Sequence, residues 1–208
     1  EIAIQKLNEL LAVNPNSALA QRELAEKYYE NLEWTKAAEQ YGVYIKNPNH
    51  FKQDEIRYVA LLFFGKRYDE SLALAKQILS TITNDEQNRF YMQRMVMYNL
   101  TALEQWEQAK EAAQVFFAIP MPEGCKYEPK DYTDYAEVLK KLGETQESLA
   151  QSVKAYEIAP DKHDILKDIS AAFSEAEDYV NAAKYYQMFV DKADYKTNDL
   201  FILARRYS

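Results

Sequence analysis

Residues 129–160 read PKDYTDYAEVLKKLGETQESLAQSVKAYEIAP, and the rest of the chain repeats this pattern. Apolar residues recur at helical spacing on both sides of a break at Leu142 to Glu144, which predicts two short amphipathic helices. Two small residues, Ala136 and Ser148, lie one on each helix and allow the backbones to approach closely. Pro160 ends the second helix because proline cannot continue it. The stretch therefore predicts a helical hairpin.

The same hairpin pattern returns after 34 residues, where Ser170 takes the place of Ala136 and Ala182 that of Ser148. Repeats begin near residues 18, 52, 90, 129, 163 and 197, at intervals of 34, 38, 39, 34 and 34. A period in this range is typical of stacked helical hairpins. We predict five complete repeats, 18–51, 52–89, 90–128, 129–162 and 163–196, with half-repeats at 1–17 and 197–208.

These repeats resemble those of the tetratricopeptide family, whose unit is a helix–turn–helix of about 34 residues. The matching slots are the pairs Leu24-Ala25 and Tyr135-Ala136, closing prolines at Pro15 and Pro160, and an aromatic residue before the second helix at Trp34, Tyr68, Trp106 and Tyr179. The resemblance covers essentially the whole chain. It implies a single all-α domain, a right-handed superhelical solenoid of antiparallel helix–turn–helix repeats, which binds proteins and carries no catalytic residues.

Apolar periodicity, together with capping residues, prolines and glycines, predicts twelve helices and accounts for the two longer intervals between repeats. The helices are expected near 2–13, 17–31, 34–46, 52–64, 69–82, 85–103, 107–118, 130–141, 145–158, 162–175, 179–191 and 197–207. The predicted N-caps are Asn16-Ser17 for the second helix, Asp69 for the fifth and Asn84-Asp85 for the sixth. Four extra residues, about one helical turn, lengthen the sixth helix, whereas three prolines and a glycine predict a loop over 119–129.

Composition narrows the possible partners. The net charge of −8 argues against nucleic acid, which requires a positive footprint, and no run of 18 apolar residues predicts a membrane span. The lone Cys125 excludes an internal disulfide framework, and the compartment stays open between cytoplasm and periplasm. Because both terminal half-repeats lack a neighbouring helix, we expect a fragment of a longer array.

The residues that catalysis would need are scattered. His50 and His163 both lie at predicted turns without a second metal ligand at suitable spacing, and Cys125 has Lys126 beside it but no positioned base. No glycine-rich phosphate loop occurs. We therefore expect no catalytic, cofactor or metal site, and a protein that is not an enzyme.

The resemblance implies that the first helices of successive repeats line a concave face that holds peptides. Carrying the repeat phase across predicts these partner-binding residues: Arg22, Tyr29, Phe63, Phe64, Tyr91, Arg94, Tyr98, Lys130, Lys140 and Lys141. Phe63, Phe64, Tyr91 and Tyr98 form an expected aromatic centre, because aromatic residues with arginine nearby are common at binding hot spots. The three lysines are expected to receive an acidic peptide or a terminal carboxylate, or to form a solvated charged face.

The sequence thus predicts a non-catalytic scaffold or adaptor whose partner is a protein or peptide. One alternative is a structural module that self-associates through its open terminal repeats. Another is the interaction arm of a larger multidomain or cell-envelope assembly protein.

Overall fold

The computed structural model describes residues 2–192 and residue 202. These residues form eleven α-helices and no strand. The helices are α1 (Ile2–Val13), α2 (Ala18–Glu30), α3 (Trp34–Ile45), α4 (Asp54–Phe64), α5 (Tyr68–Thr81), α6 (Glu86–Ala102), α7 (Trp106–Ala118), α8 (Pro129–Lys141), α9 (Thr145–Ile158), α10 (Asp164–Glu175) and α11 (Tyr179–Lys192). Each lies within two residues of its predicted bounds. The predicted twelfth helix, 197–207, falls outside the described residues except for Ile202.

Two of the three predicted N-caps are confirmed. The Ser17 hydroxyl accepts a hydrogen bond from the Ala20 N–H, and the Asp85 carboxylate accepts one from the Asn88 N–H. The prediction for Asp69 is wrong, because α5 begins one residue earlier, at Tyr68. Asp69 therefore lies in the first turn of α5, where its negative charge interacts favourably with the positive end of the helix dipole.

The turn between the two helices of a hairpin has one repeated backbone conformation. In each turn, the residue two positions before the second helix adopts a positive φ of 57° to 80°. These residues are Leu32, Lys66, Glu104, Gly143 and Glu177. After four of these residues, all but Glu104, the next N–H donates to a carbonyl five residues earlier, as in Glu33 to Tyr28 and Arg67 to Leu62. This is the Schellman ending of a helix. The turns recur at intervals of 34, 38, 39 and 34 residues, the same intervals as between the predicted repeats.

The two long intervals have the predicted causes. α6 has 17 residues, more than any other described helix, and this added length accounts for the interval of 38. No helix is assigned between Ala118 and Pro129, so a loop accounts for the interval of 39. Pro129 then opens α8, and the Glu128 N–H donates to the Asp131 carboxylate at 2.7 Å.

The chain forms two compact units. Of the described residues, the first comprises 2–104 and 115–123, and the second comprises 105–114, 124–192 and 202. In the first unit, consecutive helices from α1 to α6 pack on one another, with Tyr41, Tyr44 and Leu61 among the buried residues. In the second unit, α8 to α11 pack in sequence around Leu166, Ile169 and Tyr186.

Within hairpins, small residues at the crossing bring the helices together and add a hydrogen bond. The Ser148 hydroxyl donates to the Ala136 carbonyl at 2.7 Å, joining α9 to α8. The equivalent bonds are Ser71 to Val59 at 2.8 Å and Ser170 to Ala182 at 2.6 Å. We call these three bonds the serine clips. Each clip joins residues twelve apart, which is the spacing of the small residues in the sequence pattern.

Candidate functional site

In the first unit, aromatic side chains meet ring to ring across two hairpins. Ring centroids are 5.2 Å apart for Tyr29 and Trp34, 5.4 Å for Trp34 and Phe64, 5.9 Å for Phe64 and Phe63, and 5.4 Å for Phe63 and Tyr68. We call these five residues the aromatic surface. Its most open member is Phe64, whose exposed fraction is 49%.

The hairpin turn explains why these rings come together. Tyr29 and Phe63 lie in the last turns of α2 and α4, and Trp34 and Tyr68 are the first residues of α3 and α5. The tight turns with positive φ at Leu32 and Lys66 bring the end of one helix beside the start of the next. Sequence reasoning identified Trp34 and Tyr68 as repeat residues but not as part of the candidate binding surface.

The charged side chains around the aromatic surface form ion pairs with one another. The Arg57 guanidinium lies 4.8 Å from the Tyr29 ring centroid and donates to Glu26 at 2.5 Å. Arg22, a predicted binding residue, donates to the Asp54 carboxylate at 2.7 Å. These pairs lie between α2 and α4, so Arg22 acts first as a contact between hairpins.

Asp54 is buried, and its environment favours the charged carboxylate. Burial by itself raises the pKa of Asp54, but hydrogen bonds from Arg22 and from the Tyr44 hydroxyl outweigh it and hold the pKa below its usual value. The Tyr44 oxygen also accepts the Phe51 N–H at 2.8 Å. The network therefore fixes the connection between α3 and α4.

Tyr91 and Tyr98 of the predicted aromatic centre, and the predicted binding residue Arg94, are all less exposed than Phe64. Tyr98 is only 8% exposed and packs beneath Phe63, with 5.9 Å between ring centroids. Arg94 lies over the rings of Phe90 and Phe116, at 5.0 Å and 5.4 Å from their centroids. Tyr91 is half-buried, and burial raises the pKa of its phenol. Tyr98 thus supports the aromatic surface from below.

The second unit contains a groove of about 410 Å³ between α8 and α10, which we call the second-unit groove. Small residues form much of its lining and charged residues stand among them. The lining comprises Thr133, Ala136, Glu137, Lys140, Lys141, Ser148, Ser152, Ile165, Asp168, Ala171 and Ala172. Of the three predicted binding lysines, Lys140 and Lys141 line the groove and Lys130 does not.

Each of these lysines has a partner within the second unit. Lys130 pairs with both oxygens of Asp134 at 2.7 Å, and Lys140 pairs with Glu175 at 2.9 Å. The Lys141 ammonium lies 5.5 Å from the centroid of the Trp106 ring. Burial raises the pKa of Asp134, and the charge of Lys130 opposes that shift. The basic group expected from the sequence is therefore largely compensated by its own surroundings.

Asp168 is a groove residue that sequence reasoning missed. Its pKa is raised by the surrounding protein and by the nearby charge of Asp164, and Lys140 opposes this shift. The repeat gave no signal for it, because the equivalent residue one 34-residue interval earlier, Asp134, is paired with Lys130 and lies outside the groove lining.

Within residues 2–192 and at residue 202, no group of three or more histidine, cysteine or acidic side chains is arranged to hold a metal ion. Cys125 is half-buried. His50 contacts the Asn47 carbonyl at 2.8 Å and the Glu55 carboxylate at 3.1 Å. None of the described helices is both long and apolar enough to cross a membrane.

Comparison with solved structures identifies the fold. YrrB, described as a tetratricopeptide-repeat protein with an unusual peptide-binding site, is 14% identical with a TM-score of 0.61, covering 94% of this chain and 96% of YrrB. TTC0263, a thermophilic tetratricopeptide-repeat protein of Thermus thermophilus, is 12% identical with a TM-score of 0.58, covering 92% and 99%. PilF of Pseudomonas aeruginosa is 18% identical with a TM-score of 0.66, covering 96% and 86%.

The chain has a tetratricopeptide-repeat fold. No protein-family model and no curated protein sequence matches the chain. The tetratricopeptide-repeat assignment therefore rests on the helical repeats and on these structural similarities. It confirms the predicted all-α repeat fold.

Proposed function

We propose that this protein is a non-catalytic interaction scaffold that binds a peptide or protein segment. The tetratricopeptide-repeat fold supports a protein-binding role, and one similar structure, YrrB, is described as having a peptide-binding site. The aromatic surface supports a location for binding in this chain. An apolar segment of a partner would cover Phe64, whose ring is half exposed although it lies among other rings.

Two properties favour the aromatic surface as the binding region. Aromatic residues offer a large contact area at low conformational cost, and hot spots are enriched in tyrosine, tryptophan and arginine. The nearby charges of Arg22 and Arg57 are already balanced by Asp54 and Glu26. An incoming segment would therefore cover apolar rings without having to strip an unpaired charge of water.

The test is selection of peptides from a random displayed library on the wild-type chain, followed by affinity measurement on variants. Phe64→Ala should weaken binding of the selected peptides by about tenfold or more, as expected for a hot-spot aromatic residue. Phe51→Ala is the matched control, because Phe51 is in the same unit, is 61% exposed and lies outside the aromatic surface. Equal affinities for Phe64→Ala and the wild type would contradict this location.

A second candidate function, self-association, is favoured by α1. No residue of α1 is buried, and Ile2, Leu10 and Val13 are 72%, 50% and 86% exposed. Pairing of two α1 faces would remove this apolar area from water. Sedimentation over a range of concentrations should then show a dimer that Leu10→Lys with Val13→Lys abolishes. A monomer at all concentrations would reject this candidate.

A further inference from the structure

The second-unit groove combines a floor of small side chains with walls of opposite charge. Ala136, Ala171, Ala172 and the serines leave room for an inserted side chain. The Ser148 and Ser152 hydroxyls already donate to the Ala136 and Ser148 carbonyls, so the floor offers little unused hydrogen-bond donor capacity. The walls must therefore determine which side chain enters.

The lysines and the carboxylates that line the groove differ in how many partners they already have within the protein. Lys140 is paired with Glu175, and Lys141 lies over the Trp106 ring. In the described part of the chain, Glu137 and Asp168 form neither a salt bridge nor a side-chain hydrogen bond. With Lys140 offset by Glu175, the two carboxylates outnumber the one remaining ammonium, that of Lys141. The groove therefore has an excess of negative charge, the opposite of what the lysines suggest in the sequence.

We propose that the second-unit groove binds a lysine or arginine side chain of a partner peptide, with its charged head paired to Glu137 and Asp168. The aliphatic stem of that side chain lies along Ala136, Ala171 and Ala172, as long basic side chains do on apolar surfaces. This inference rests on the proposed scaffold function and names one chemical requirement of the partner.

The electrostatics of Asp168 agree with this assignment. Burial is the main cause of its raised pKa, and the charge of Asp164, only partly opposed by that of Lys140, adds an excess of negative charge beside the carboxylate. A cation entering the groove relieves that excess. A glutamate or a terminal carboxylate would instead face Glu137 and Asp168 and compete with Glu175 for Lys140.

The experiment is a titration of the ¹⁵N-labelled whole chain with three capped alanine peptides, which carry lysine, norleucine or glutamate at the centre. Norleucine keeps the length of the lysine stem and removes the charge. The lysine peptide should shift amide signals of α8 and α10 around the groove and bind more tightly than the other two peptides.

Variants then test the two carboxylates. Asp168→Asn and Glu137→Gln should each weaken binding of the lysine peptide by about 1.5-fold to fivefold, the range for an exposed ion pair. Glu157→Gln is the matched control, because it removes the same charge from an exposed position of α9 outside the groove lining. It should leave the affinity unchanged.

Three outcomes would overturn the inference. They are equal binding of the lysine and norleucine peptides, tighter binding of the glutamate peptide, and no shift around the groove with any peptide. A groove that prefers glutamate would still support a peptide-binding scaffold. Failure of the scaffold function itself is read separately, from a displayed library that yields no peptide binding to the wild-type chain.

Discussion

At the residue scale, each serine clip adds a hydrogen bond at a helix crossing where close packing calls for a small side chain. Ser148→Ala keeps the small volume and removes the hydrogen bond to the Ala136 carbonyl, which should lower the free energy of unfolding by about 1 kcal/mol. Ser148→Val adds volume at a helix crossing and should cost about 1–3 kcal/mol. Urea unfolding followed by circular dichroism measures both.

Ser80→Ala is the control for the serine clips, since Ser80 is exposed and bonds only within its own helix, to the Gln77 carbonyl. If Ser148→Ala were no more destabilising than Ser80→Ala, the clip would have no energetic role.

Gly143 is the one glycine among the five turn residues of positive φ. Gly143→Ala should lower the free energy of unfolding by about 1 kcal/mol, because a side chain disfavours this backbone conformation. A methyl group there would meet no other described atom within 4 Å, so the cost is one of backbone conformation alone. Thermal or urea unfolding measures the change.

The converse substitution sharpens the test of the turn. Lys66→Gly removes the same conformational penalty but increases the freedom of the unfolded chain, so we expect a nearly unchanged free energy of unfolding. An unaffected Gly143→Ala protein would show that the positive φ is not required at this turn.

At the element scale, the connection between α3 and α4 contains a histidine, His50, whose surroundings favour its charged form. The Asn47 carbonyl, followed by Glu55, raises the pKa of His50. Because the folded-state pKa is raised, this stabilisation is fully present below the unfolded-state value of about 6.5 and is lost as pH rises through the folded-state pKa. Asp54 and Tyr44 also face this ring.

We therefore expect the wild-type chain to lose a few tenths to about 1 kcal/mol of unfolding free energy relative to His50→Gln as pH rises through this range. Urea titrations at several pH values give the difference between the two proteins. Glu55→Gln should reduce that difference because it removes one of the groups that raises the pKa. A pH-independent difference between wild type and His50→Gln would contradict the account.

Elements were easier to predict from the sequence than the site. Apolar spacing located the helices because each helix must bury one face, and the small pair Ala136 and Ser148 located a crossing. The partners of Lys140 and Lys141 were not predictable, since Glu175 and Trp106 are distant in the chain and chosen by packing. Tyr98 appeared to be a surface residue by repeat phase, but it is buried beneath Phe63.

At the scale of the whole molecule, stability should be distributed by unit. Leu166 is fully buried in the second unit, and Leu166→Ala should destabilise its surroundings by about 2–5 kcal/mol. Because repeats contact only their neighbours, amide protection should fall most in the second unit. Native-state hydrogen exchange with mass spectrometry measures protection along the chain.

Leu24→Ala, at a buried position of the first unit, should show the reverse pattern. A uniform loss of protection along the chain in both variants would mean that the two units unfold as one.

The serine clips and the ion pairs should respond differently to salt. The clips lie within hairpins and are buried, whereas Arg22–Asp54, Glu26–Arg57 and Lys140–Glu175 join one hairpin to the next. Dissolved ions screen partly exposed charges and leave buried neutral hydrogen bonds nearly unaffected. We therefore expect added salt to weaken the ionic contacts between neighbouring hairpins of a unit by the modest amount that such pairs contribute, and to leave the bonds inside each hairpin nearly unchanged.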